Sequence, residues 1–76
     1  MSKKITKFII GKDYNYNDIR ESLDDIAFMD EHGTECIGEH LLVFHMNDSD
    51  DIMSFIYSGY SDTYGGIFKL IHADNL

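Results

Sequence analysis

Any fold for this chain has to bury HLLVFHM, the run at residues 40 to 46. Its continuous apolar middle, with Val43 and Phe44, reads as a β-strand covered on both faces. The chain is 76 residues long. At that length folding buries only about 60% of the surface the unfolded chain exposes, so one domain, residues 1 to 76, of marginal stability is expected. Little core is left over for a deep catalytic pocket. The hydrophobic content of 43%, with five Phe and five Tyr, is that of a folded protein despite a net charge of -8.

The other elements are placed around that strand. KITKFII, residues 4 to 10, is β-branched and aromatic and stops at Gly11, which predicts a first strand whose lysines suit a sheet edge. Ile19, Leu23 and Ile26 fall at i, i+4 and i+7 and predict a helix ending near Ala27 or Phe28. Asn15 or Asn17 can cap it, and Asp18 and Glu21 suit the positive end of its dipole. His32-Gly33 predicts a hairpin turn, with Gly33 as the C-cap of a longer first helix left open as the alternative. Beyond the central strand, Asp48 or Ser49 as cap, Asp50 and Asp51 in the first turn, and Ile52, Phe55, Ile56 and Gly59 on one face predict a second helix. IFKLIHA, residues 67 to 73, is a final strand. The expected fold is α+β: two helices against a three- or four-stranded sheet in the order βα(β)βαβ, whose split-βαβ form is ferredoxin-like. Such a topology carries no function by itself.

Charge is distributed unevenly. Residues 13 to 51 hold twelve of the fourteen acids and a single base, Arg20, while Lys3, Lys4, Lys7 and Lys12 precede them. A field of that sign repels phosphates and anionic lipid and attracts basic surfaces, which argues against nucleic acid as a direct ligand. The longest apolar runs fall far short of the roughly 20 residues of a membrane span. One cysteine, Cys36, and an amino terminus without secretory character point to a reducing cytoplasm.

Two acidic groups stand out. Helix capping can account for Asp48, Asp50 and Asp51, since a cap contributes about 1 kcal/mol and acids in the first turn roughly 0.3 to 1 kcal/mol each. The first helix is different: Asp18, Glu21, Asp24 and Asp25 make its outer face almost wholly anionic, and like charges at i, i+4 cost a few tenths of a kcal/mol. A solvated face kept acidic for solubility is the plain account. The functional account is that carboxylates about 5 to 6 Å apart imitate a phosphate backbone. Asp30 and Glu31 extend the acidic set, and Tyr57, off the apolar stripe, is the candidate exposed anchor, tyrosine being enriched at interfaces.

Catalytic and cofactor patterns are weak or missing. His32, Cys36, His40 and His45 are possible zinc ligands, but Gly33 and Gly38 break a shared helical face and no CxxC is present. Neither GxSxG, a P-loop nor GxGxxG occurs, so no cofactor, metal or enzymatic activity is expected.

A small, strongly acidic chain with one folded domain and no catalytic motif resembles, in overall character, the small phage-encoded anti-CRISPR and anti-restriction proteins. The resemblance implies an inhibitor of host defence that occupies the basic surface of a nucleic-acid-binding protein or ribonucleoprotein complex. It assigns no residue a role. The alternative is a small regulatory or assembly domain that dimerises through a sheet edge or binds a metabolite; a zinc-dependent hydrolase would require the four weak ligands.

Overall fold

The run at 40 to 46 does form an interior strand, and the sheet around it is larger than the sequence suggests. The computed structural model describes residues 4–34, 39–61 and 65–74, and the side chains of residues 4–30, 41–60 and 66–74. The elements are β1 (Asp13–Asn15), α1 (Tyr16–Leu23), β2 (Ala27–Thr34), β3 (Glu39–Met46), β4 (Ile52–Ser61) and β5 (Gly65–Ala73). All strand pairs are antiparallel, in the order β1-β5-β4-β3-β2. The protein is therefore a small α+β domain that, among the described residues, has one helix and a five-stranded antiparallel sheet, in place of two helices on three or four strands in a ferredoxin-like order.

Alternation along the strands defines two faces. Leu42 and Phe44 of β3, Met53 and Phe55 of β4, and Phe68 and Leu70 of β5 point inward, with Ala27 and Tyr14 beside them. Ile19 and Leu23 of α1 close this core. Phe8 adds its ring from the amino-terminal segment, 5.1 Å from Tyr14 and 5.8 Å from Phe55, and Phe44 meets Phe55 edge-on at 5.7 Å. The fully buried rings of Phe44 and Phe55 contribute roughly 1.5 to 3 kcal/mol each by leaving water. Leu41, Val43, Ile52 and Ile56 take the opposite face and are half-buried. The central strand is thus fully covered on one face only.

The second helix expected over residues 48 to 59 is strand β4. Its apolar residues satisfy both periods: 52, 55, 56 and 59 for a helix, and 53, 55 and 57 for one side of a strand. Pairing with β3 and β5 on both flanks decides for the strand, with register shifts between Ser54 and Phe55 and between Tyr57 and Gly59. The aspartates before it cap no helix. They lie in a turn in which the Ser49 hydroxyl accepts the Asp51 amide at 3.1 Å.

Residues 4 to 10 form no strand either. Ile5 and Phe8, three apart, pack on the core while Ile9 and Ile10 stay exposed, a spacing that strand alternation does not produce. The Ser22 hydroxyl accepts the Ile5 amide at 2.6 Å and the Tyr14 hydroxyl accepts the Ile9 amide at 2.8 Å, so the segment is tied across the inner face. Gly11, at φ 91, makes the turn into β1, and its amide donates to the Leu70 carbonyl.

Helix α1 begins as expected and ends early. Asn15 is its cap: the side-chain oxygen accepts the Asp18 amide at 2.9 Å, and its amide group donates to the Asp18 carboxylate at 2.9 Å. After Leu23 the chain turns, and Ile26, expected on the buried stripe, is 53% exposed. Residues 27 to 34 leave for the sheet. The hairpin expected near residues 28 to 38 exists as the β2–β3 pair, but His32 and Gly33 lie within β2, opposite Leu41 and His40. The connecting residues 35–38 lie outside the described residues. No helix is long and apolar enough to cross a membrane among the described residues.

Candidate acidic site

The turn after α1 and the turn after β3 meet at one end of the sheet. The Asn47 amide donates to the Ile26 carbonyl at 2.9 Å, and the Asn47 side chain reaches the Asp25 carbonyl at 3.5 Å. The end of β5 joins them, because the Ile52 amide donates to the Asp74 carboxylate at 3.0 Å and the Asp74 amide to the Ile52 carbonyl at 3.1 Å. Three stretches distant in sequence therefore bring Asp24, Asp25, Asp48, Asp50, Asp51 and Asp74 to the same end. Glu21 stands within the last turn of α1, exposed beside them.

Helix α1 does not ask for the acids that end it. Asp24 is the C-cap of α1 and Asp25 follows it, at the negative end of the dipole, where an acid is destabilising by about 0.3 to 1 kcal/mol. Arg20, the single base of residues 13 to 51, directs its guanidinium toward the Met29 sulfur at 3.8 Å. Among the described residues, Lys4, Lys7 and Lys12 make no ion pair with a carboxylate, and Lys12 lies over the Tyr14 ring at 5.6 Å.

The remaining expected partner-binding residues are placed as follows. Asp18 is half-buried and engaged with Asn15, so it serves the helix cap and leaves the open acidic face. Asp30 projects from β2 on the outer face beside His45, with Oδ2 at 2.7 Å from Nε2. The contact is out of line for a hydrogen bond, and Nε2 is buried without another partner. The side chain of Glu31 lies outside the described residues. Tyr57 stands on the inner face, T-shaped against Phe68 at 5.6 Å and 42% exposed, away from the acidic end. Of the possible zinc ligands, Cys36 and the side chains of His32 and His40 lie outside the described residues, and the described residues hold no group of three that could bind a metal ion.

The aromatic group at the acidic end is Phe28. Alternation in β2 places it on the outer face, opposite His45 of β3, where its ring stacks on the imidazole at 4.8 Å and 13°. It is 57% exposed. A strand reading of AFMD would have turned Phe28 outward, but the sequence alone extended the first helix to that point. Phe28, His45 and Met46 together with Ser49, Asp50 and Asp51 line a pocket of about 210 Å³.

Asp74 has a clear structural duty at this end. Its carboxyl is held below the ordinary value of 3.8 chiefly by the hydrogen bond from the Ile52 amide, helped by the hydrogen bond and charge of His72, whose Nε2 lies at 3.0 Å. A lowered carboxylate contributes stability above its unfolded value and loses it as pH falls through the folded one. Asp74→Ala is thus expected to melt at a lower temperature than the wild type at neutral pH. The difference should shrink once pH passes below 3.8, which thermal melts of both proteins across that range would follow.

Comparison with protein-family models, with curated proteins and with solved structures finds no match.

Proposed function

We propose that this protein is a cytoplasmic inhibitor that binds the basic, nucleic-acid-recognising surface of a target protein or ribonucleoprotein complex, in the manner of the anti-CRISPR and anti-restriction proteins it resembles in character. One observation carries the reading: exposed carboxylates from α1, the β3–β4 turn and their surroundings converge on one end of the fold, where the helix dipole opposes those that follow α1 and where, among the described residues, Lys4, Lys7 and Lys12 make no ion pair with a carboxylate. Asp24, Asp25, Asp48 and Asp50, with Glu21 beside them, steer association and pair with Lys and Arg. Phe28 supplies the apolar contact that charge complementarity alone does not give. It takes the place expected for Tyr57.

Strand-edge dimerisation receives less support. Strand β2 is a sheet edge, and the exposed charge of Asp30 on it discourages pairing with a second copy.

Affinity capture from a lysate tests the proposal. It should retain a basic nucleic-acid-binding protein at low salt, with retention falling as ionic strength rises and the Debye length drops from about 10 Å at 0.1 M to about 3 Å at 1 M. Recovery of the chain alone, or of a partner indifferent to salt and lacking a basic surface, would remove the proposal.

A further inference from the structure

We infer that the pocket between the Phe28–His45 ring stack and the β3–β4 turn receives the guanidinium of a partner arginine. This rests on the acidic end being a docking surface, and it names the group that surface recognises. The cavity, rather than the acids around it, carries the inference. Its volume of about 210 Å³ lies below the roughly 300 to 1,000 Å³ of pockets that enclose drug-sized ligands, so it suits a single side chain better than a metabolite. Acid on its rim excludes a phosphate or carboxylate ligand.

Its walls differ in chemistry, and that difference selects among cations. Its apolar and aromatic lining is Phe28, 57% exposed and stacked parallel on the imidazole of His45, together with His45 itself and Met46. Its polar lining is Ser49, Asp50 and Asp51 of the β3–β4 turn, of which Ser49 and Asp50 are exposed. A guanidinium is planar and weakly hydrated, stacks on an aromatic face and presents several donors in its plane. Lying against Phe28, it directs those donors toward Asp50 and Ser49. A lysine ammonium finds the same carboxylate but, as a compact and strongly hydrated charge, makes less of the ring.

The test uses the full chain and two defined probes, N-acetyl-arginine amide and N-acetyl-lysine amide, followed by amide and side-chain NMR shifts. The arginine probe should perturb Phe28, His45 and Ser49 to Asp51 before any other residues, and bind about two- to fivefold more tightly than the lysine probe. Phe28→Leu keeps an apolar side chain at an exposed position and should erase that preference while leaving weak binding of both probes. Asp50→Asn should weaken both. Equal affinity of the two probes for the wild type, or shifts spread evenly over Asp24, Asp25 and Asp48 as well, would overturn the inference.

Its failure is separable from failure of the proposed function. If capture yields a salt-sensitive basic partner whose affinity is the same for wild type and Phe28→Leu, the pocket is not the recognition site and the acidic surface stands. If the arginine probe docks as described but capture retains no basic protein, the pocket stands and the proposed function falls.

Discussion

Phe55→Ala is expected to leave much of the chain unfolded at room temperature. Phe55 is fully buried, touches Phe8 and Phe44 through edge-on ring contacts, and sits in the strand paired on both sides. Truncating a buried phenylalanine costs about 3 to 5 kcal/mol. At roughly 0.05 to 0.15 kcal/mol per residue, a chain of this length has on the order of 4 to 11 kcal/mol in total, and small domains tend toward the lower figure. Phe55→Leu, which retains most of the volume, should fold with a loss of about 1.5 kcal/mol. Urea denaturation followed by circular dichroism measures both. An alanine variant that unfolds cooperatively near the wild-type midpoint would contradict the packing described for the inner face.

The same experiment separates a strand from a helix at this point in the chain. In a helix, Phe55 and Ile56 would share the buried stripe and their truncations would cost alike. In β4 they face opposite ways: Phe55 inward, and Ile56 outward and half-buried. Ile56→Ala is therefore expected to cost clearly less than Phe55→Ala.

That ambiguity shows where the sequence was legible. The central strand declared itself because an apolar run with Val43 and Phe44 fits few other environments, and the start of α1 because Asn15 is followed by Asp18 at capping distance. The run from Ile52 to Tyr60 was not legible as a strand, because apolar groups on both its faces satisfy two periods at once. Aspartates before it then imitated a cap. The amino-terminal segment misled in the opposite way: its β-branched composition suits a strand, but hydrogen bonds to the Ser22 and Tyr14 hydroxyls hold it across the core.

The candidate site was legible in kind and not in place. An excess of acid between residues 13 and 51 is plain in the sequence, and so is the anionic outer face of the first helix. Which acids gather is a tertiary fact. It depends on Asn47 joining the β3–β4 turn to Ile26 and Asp25, and on Asp74 closing the start of β4. Asp18 and Tyr57 have the right chemistry in the wrong positions, one spent on a cap and the other packed against Phe68. Phe28 was hidden by an overlong helix.

Neutralising Asp24, Asp25, Asp48 and Asp50 together as asparagines is expected to slow association with the captured partner by roughly tenfold or more and to flatten its dependence on salt. Folding should be preserved or slightly improved. The wild-type carboxylates at the C-terminus of α1 oppose its dipole by about 0.3 to 1 kcal/mol each, and crowded like charges in the neighbouring turn add to that strain. A group of charges kept at the expense of stability is hard to explain as scaffolding, so the two measurements have to be made on the same variant. Stopped-flow association kinetics report the first and denaturant unfolding the second. Asp13→Asn supplies the control for net charge, since Asp13 is exposed on β1 at the sheet edge opposite β2. Per charge removed, it should slow association far less than the clustered set. If the two effects per charge are equal, overall charge rather than a localised acidic surface governs the encounter; if the fourfold variant associates at the wild-type rate, these carboxylates take no part in binding.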